Sequence, residues 1–350
     1  MNLNDINKAV EFLKKIKKND NVILIFHSDA DGICSAAMVK KILPCEPLLI
    51  NQPMPVDQNV IAKIQTTVPN KIIFLDLAVA QQQDIMKKIG SICDILIIDH
   101  HISKNVSNKA ITHINPRFEK PDIYQSASYL TYQICSRIKD ISEMLWIAGV
   151  GIVGDYNIKF SRDLVADIEK YYDIHHIQES FIKNVADIIE ASRATKVLSP
   201  EEIVNVLYKY STYKEFQESE EYHKLFQSYQ TISNELEAIL IDAKKAEKIG
   251  NIIFYNLKSK YNIRSPVSTK LGEIYPKKLI VVYQFMYNKV KVSMRAQNSF
   301  DVNDILRKAT SSFKVSSGGH KEAGGVILSK DQWDEFKQNL IKIVNKKKEE

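Results

Sequence analysis

In the first hundred residues, short apolar runs alternate with amphipathic stretches, and this alternation constrains the fold more than any other feature of the sequence. VILIFH (22–27), PLLIN (47–51), KIIFLDL (71–77) and DILIIDHH (94–101) are too short for helices and too uniformly apolar for strands with one wet face. They read as strands buried on both faces. DGICSAAMVKKIL, NVIAKIQTTV and QQQDIMKKIG, which lie between them, carry helical patterns. Such alternation implies parallel strands joined by right-handed crossovers, an open α/β sheet.

From Ser126 the pattern turns helical, and residues from about 160 to 248 contain no convincing strand. Ser199-Pro200-Glu201-Glu202 has the grammar of a helix start: Ser as N-cap, Pro in the first turn, Glu three positions on. The expected organisation is a first domain over 1–160, a helical connector over 161–248 and a smaller α/β domain over 249–346. In the last, NIIFYNL, KKLIVVYQFM and KVKVSMRAQ are strand-like, and Tyr287-Asn288-Lys289 suggests a hairpin. A helix (VNDILRKAT), a glycine-rich loop (SSGGHKEAGG), a short strand (VILS) and a closing helix complete a mixed sheet.

Composition excludes several classes. With 45% hydrophobic and 26% charged residues, the chain is an ordinary globular one. No apolar stretch approaches the roughly 20 residues of a membrane span. The opening MNLNDINKAVEFLKKIKKND lacks a signal-peptide core, so a cytoplasmic protein is expected. Cysteines 34, 45, 93 and 135 form no C-x-x-C pair, which disfavours a zinc ribbon or a disulfide framework. The net charge of +6 permits an anionic partner.

In an open parallel sheet, ligands bind beyond the carboxyl ends of the strands. His27, Asp29 and Asp31 follow VILIF, Asp76 follows KIIFL, and Asp99, His100 and His101 follow ILII; Asp155 follows the helical WIAGVGIVG. One Asp after a strand is most often a helix cap, but four segments delivering carboxylate and imidazole together point to a site. Mixed carboxylate and imidazole without thiolate suits Mn²⁺, and less well Fe²⁺, Co²⁺ or Mg²⁺. So many ligands argue for two divalent ions sharing a bridging carboxylate, whose commonest task is phosphoester hydrolysis.

His27-Ser28-Asp29-Ala30-Asp31-Gly32, Asp76, Asp99-His100-His101 and Gly154-Asp155 resemble the four motifs of the DHH phosphoesterase family. Ser317-Gly318-Gly319-His320-Lys321-Glu322-Ala323-Gly324-Gly325 resembles the GGGH signature of its associated domain, with Ser317 in place of the first glycine. The resemblance implies one ion held by His27, Asp29 and Asp76, and a second by Asp31, Asp76, His100 and Asp155. Asp99 would orient a histidine, and His101 would serve as proton donor or phosphate contact. Gly318, Gly319 and His320 would receive a substrate phosphate, with Arg295 as a fork for its oxygens.

The resemblance also implies an Mn²⁺-dependent RecJ-like exonuclease or short-oligonucleotide nuclease acting on single-stranded DNA or RNA. The chain has no room for the extra oligonucleotide-binding domain of large RecJ proteins, which favours short substrates or work with a partner. The alternatives are a cyclic dinucleotide phosphodiesterase and a GINS-binding replication or repair protein that retains nuclease activity. Inorganic pyrophosphatases share the first motifs and lack the glycine–histidine signature. Asp173-Ile174-His175-His176 mimics the metal motif but follows no apolar strand, His113 reads as a structural residue in an N-P-R loop, and Tyr124 and Tyr129 read as core or base-stacking aromatics.

Overall fold

The computed structural model describes residues 3–52, 56–297, 300–315, 317–319 and 321–346. The chain divides into two compact units, Met1–Tyr229 and Gln230–Glu350. The first holds a five-stranded, all-parallel sheet in the order β2-β1-β3-β4-β5. Its strands are β1 (Val22–Phe26), β2 (Leu48–Asn51), β3 (Lys71–Leu75), β4 (Asp94–Ile98) and β5 (Ile111–Ile114).

The apolar runs are continuous because each strand feeds two cores. Leu24, Phe26, Ile73, Leu75, Leu96 and Ile98 face one hydrophobic cluster. Their neighbours Ile23, Ile25, Ile72, Phe74, Ile95 and Ile97 face another on the opposite side. Period-two alternation therefore sorts residues between two dry faces. Burying each such side chain contributes roughly 1.5–3 kcal/mol, so register is firmly set.

The fifth strand was not expected from the sequence. His113, placed there in a loop, lies in β5, paired with Ile97 of β4. Helices Arg162–Tyr172, Phe181–Thr195 and Pro200–Lys209 bury Leu164, Ile168, Ile182, Ile189, Ile203 and Leu207 in the first cluster. The stretch read as a connector thus packs onto the first unit as far as Tyr229. Ser199 and Glu202 do form the reciprocal capping box their spacing suggests.

The second unit carries a mixed six-stranded sheet in the order β10-β11-β9-β8-β7-β6, where only β7 and β8 run parallel. Its strands are β6 (Glu247–Ile249), β7 (Ile252–Asn256), β8 (Leu279–Met286), β9 (Lys289–Arg295), β10 (Ser317–Gly319) and β11 (Ala323–Ser329). In β9, buried residues alternate with more exposed ones, whereas Ile252–Tyr255 of β7 and Leu279–Val282 of β8 are buried on both faces. The expected hairpin joins β8 to β9. The glycine-rich segment, read as a loop, is instead the antiparallel pair β10–β11, with Gly318 opposite Gly325 and Gly319 opposite Gly324. A Cβ on Gly319 would stand 2.2 Å from the carbonyl of Ala323, so only glycine allows this close pairing. Among the described residues, no helix is long and apolar enough to cross a membrane.

Candidate metal centre

The order of the first sheet reverses direction between β1 and β3, and ligand sites of open α/β sheets form at such a point. The ladder continues past the strand ends into the site. His27 N–H donates to Leu75 O (3.2 Å), Asp76 N–H to Ile98 O (2.9 Å) and Asp99 N–H to Ile114 O (3.0 Å). Each chemical residue is thereby aligned by the backbone of the next strand. Asp76 adopts φ +59°, a left-handed conformation that is uncommon outside glycine and that clusters at functional sites.

Asp29 caps helix Ala30–Ile42, accepting from Gly32 N–H at 3.1 Å. A Cβ on Gly32 would lie 2.2 Å from His27 O, so glycine is needed for the chain to turn this tightly into the helix. Asp31 is buried. Its two carboxylate oxygens accept from the N–H groups of Ala127 (2.7 Å) and Ser128 (2.8 Å), at the start of helix Ala127–Cys135. Those donors are free because the first N–H groups of a helix lack internal partners. Asp155 ends helix Leu145–Gly154.

Three groups of ligand atoms converge: His27, Asp29 and Asp76; Asp31, His100 and Asp155; and Asp76, Asp99, His100 and His101. His27 Nδ1 lies 2.6 Å from Asp29 Oδ2 and 3.5 Å from Asp76 Oδ2. His100 Nε2 lies 3.1 Å from Asp76 Oδ1, and its Nδ1 lies 3.4 Å from Asp155 Oδ2. Asp76 therefore stands between the first two groups, facing both histidines.

The residues fit divalent cations. His27 Nδ1, His100 Nδ1 and Asp155 Oδ2 are buried without hydrogen-bond partners, although each has an oppositely charged atom within about 3.5 Å. Buried polar groups are normally satisfied, so atoms that approach without aligning suit a shared ion. Charge points the same way. Burial and the charges of Asp76 and Asp155 raise the Asp31 carboxyl well above its usual range. Burial pushes Asp155 up to about 7, against the pull of His100. Burial alone would lower His100, but its hydrogen bond to Asp76 and the charges of Asp155, Asp76 and Asp31 hold it near 10. A site whose crowded carboxylates favour protons this strongly would favour divalent cations in their place.

Asp99 is fully buried and accepts from His101 Nδ1 at 2.7 Å. Burial would raise its carboxyl, yet the His101 hydrogen bond and charge keep it at about 2. A carboxylate so placed fixes the His101 tautomer and leaves Nε2 as the ring atom able to exchange a proton.

Some residues of the site were not assigned to it from the sequence. Tyr124, read as a core or base-stacking aromatic, donates to Asp155 Oδ1 (2.8 Å) and stacks on His100 with ring centroids 4.7 Å apart. Arg117 donates through Nε to His100 O (2.6 Å) and lies 5.1 Å over the Tyr124 ring. Arg193 pairs with Glu190 (2.7 Å) and brings Nη2 within 3.5 Å of Ser28 Oγ. Tyr124 stands two residues before Ser126, whose side chain caps helix Ala127–Cys135, and that helix start was the available signal. Arg193 sits in the last turn of helix Phe181–Thr195, where a basic residue is ordinary, and offered none. His175 and His176 are exposed beyond the end of helix Arg162–Tyr172 and join no ligand group among the described residues.

In the second unit, Arg295 and Gly319 line one cavity of about 330 Å³, together with Ser265, Ser268 and Ser293. Gly318 lies on the edge strand β10 and is exposed. His320 falls outside the described residues.

Residues 21–154 match the model of the DHH family, N-terminal domain, and residues 252–346 match that of the DHHA1 domain. The chain belongs to the DHH phosphoesterase family. Solved structures share its fold. A manganese-bound exonuclease RecJ superposes with a TM-score of 0.70 at 16% identity, over 98% of this chain and 95% of that one. RecJ from Thermus thermophilus in complex with Mn²⁺ gives 0.76 at 16% identity, over 99% of this chain and 55% of that one, so the chain spans about half its length. A pGpG-specific phosphodiesterase from Vibrio cholerae gives 0.54 at 14% identity, over 93% of this chain and 99% of that one. No curated protein matches the sequence significantly.

Proposed function

We propose that the chain is a phosphodiesterase dependent on two divalent ions, preferably Mn²⁺, that releases mononucleotides from single-stranded DNA or RNA or from short oligonucleotides. The observation that carries this reading is the position of Asp76 between two ligand groups in which His27 Nδ1, His100 Nδ1 and Asp155 Oδ2 are buried without hydrogen-bond partners. His27, Asp29 and Asp76 would hold one ion, and Asp31, Asp76, His100 and Asp155 the other. When bound, such a pair supplies charge neutralisation at phosphoryl oxygens and a water nucleophile at neutral pH.

The chain's own residues do the remaining work. Asp31 is locked by two backbone amides and keeps its orientation through turnover. His101, steadied by Asp99, gives a proton to the departing ester oxygen as the P–O bond breaks, while the attacking water leaves its oxygen on phosphorus. Arg295, Gly318, Gly319 and His320 receive a second phosphate of the substrate. His320→Ala should accordingly raise KM and leave Mn²⁺ content normal.

A second reading is a phosphodiesterase for linear or cyclic dinucleotides. It is favoured by the 99% of the pGpG-specific enzyme's chain that this fold covers. A role beside a replication or repair partner such as GINS is compatible with catalysis. Purified protein with Mn²⁺, assayed against single-stranded DNA, RNA, dinucleotides and cyclic di-AMP, separates these readings. Failure to hydrolyse any of them overturns the phosphodiesterase assignment.

A further inference from the structure

Two neighbouring strands of the second unit, β7 and β8, end out of step. β7 stops at Asn256, opposite Tyr283, while β8 continues through Gln284, Phe285 and Met286, paired only with β9. A cavity of about 480 Å³ opens at this corner, lined among others by Lys258, Ser259, Lys260, Gln284 and Phe285. Its frame is fixed. Gln284 Nε2 donates to Ser259 O at 2.6 Å, and Arg264 Nη1 donates to Gln284 Oε1 at 2.6 Å.

Where the strand overhangs, apolar side chains face water. Phe285 is 40% exposed, Met286 39% and Tyr287 98%, and Tyr287 holds a left-handed backbone at φ +49°. Lys258, Lys260, Lys289 and Lys330 are exposed around them, and none is ion-paired among the described residues. Lys330 Nζ stands 5.9 Å from the centre of the Phe285 ring. Aromatics interleaved with unpaired lysines are what a flexible polyanion with flat bases requires: rings for stacking and ammonium groups for phosphates. An acidic protein segment would use the lysines but has no need of a ring standing almost wholly in solvent.

We propose that this corner is a landing surface for single-stranded nucleic acid. It is distinct from the cavity of Arg295 and Gly319. Arg295 and Lys289 terminate opposite ends of the seven-residue β9, about 20 Å apart at the rise of a strand. The surface deepens the function proposed above, and rests on it for the choice of a nucleic acid strand. It makes the preferred substrate longer than a dinucleotide, because the strand is held well away from the glycine pair.

The test is binding of a fluorescent twenty-nucleotide oligo(dT) to the full chain in EDTA, where no cleavage occurs, across a salt series. Lys258→Ala/Lys260→Ala should weaken binding at least tenfold and flatten the slope of log K against log salt by about 1.4, the release expected for two phosphates at about 0.7 each. Tyr287→Ala, whose ring is free of the core, should weaken binding by about fivefold or more. Both variants should hydrolyse a dinucleotide at the wild-type rate.

Wild-type protein that fails to bind the oligonucleotide, or variants that bind it unchanged, overturn the proposal. So does equal competition by polyglutamate combined with indifference to Tyr287→Ala, which would mark the surface as one for acidic proteins. Binding that depends on these residues, without hydrolysis of any diester, would sink the proposed function and leave this surface standing. Dinucleotide hydrolysis with unaltered variants would do the reverse.

Discussion

Tyr124 holds one oxygen of Asp155 and leaves the other free: its hydroxyl donates to Oδ1 at 2.8 Å, while Oδ2, buried and without a hydrogen-bond partner, faces His100 Nδ1 at 3.4 Å. The same ring stacks on His100, so one side chain aligns two of the ligands proposed for the second ion.

Tyr124→Phe keeps the ring and removes the hydroxyl. Loss of a hydrogen bond that orients a ligand typically costs about 10–100-fold in metal affinity or activity. Titration calorimetry with Mn²⁺ should show the weakening at one of two sites. Unchanged binding at both would mean that Asp155 is oriented by other groups.

Asp76→Ala should abolish turnover at saturating Mn²⁺, because both ligand groups lose an oxygen at once. Activity within about tenfold of wild type would refute the shared carboxylate. Asp76→Asn should be equally inactive yet more stable than the Ala variant by about 1 kcal/mol, since Asn tolerates the left-handed backbone and Ala does not. Urea denaturation in EDTA reads that difference.

His100 and His101 are adjacent in sequence and divergent in surroundings. His100→Ala should lose metal, and excess Mn²⁺ should restore part of the rate. His101→Ala should retain its metal and lose about 10²–10⁴-fold in kcat, the usual contribution of a positioned acid. Metal analysis of the two proteins decides between them; depletion in His101→Ala would reverse the roles.

His113 predicts an acid weakness unrelated to catalysis. Both of its ring nitrogens are buried without partners, and burial lowers its pKa from 6.5 to about 4. The unfolded chain therefore takes up a proton near pH 6.5 that the folded chain refuses until about pH 4. Stability falls as pH drops through that window, by about 3 kcal/mol once it is crossed. His113→Leu should remove this part of the acid limb. Urea curves at pH 7 and pH 4.5 should show the wild type losing about 2–3 kcal/mol more than the variant, and parallel losses would contradict the assignment.

The parallel sheet and the clustering of the candidate ligands were legible because both obey short-range rules: runs dry on both faces, and polar residues at their carboxyl ends. β5 was not, since Ile111-Thr112-His113-Ile114 mixes polar residues into an edge strand and resembles a loop. The glycine hairpin was hidden for the opposite reason. Its residues have almost no side chains, and its form depends on backbone pairing with β9, which has no signature in the segment itself. Tyr124 and Arg193 reach the site through tertiary packing, from a turn and a helix that look ordinary in isolation.

Asp31 is clasped by amides 96 and 97 residues further along the chain, and the proposed ligands extend from His27 to Asp155. During synthesis, the loop after β1 leaves the ribosome long before its anchors do. A nascent chain halted before residue 127 would carry every proposed metal ligand except Asp155, with Asp31 still swinging free. The candidate centre can thus assemble only once the chain has been made through Asp155, so any metal it holds would report that this stretch has closed.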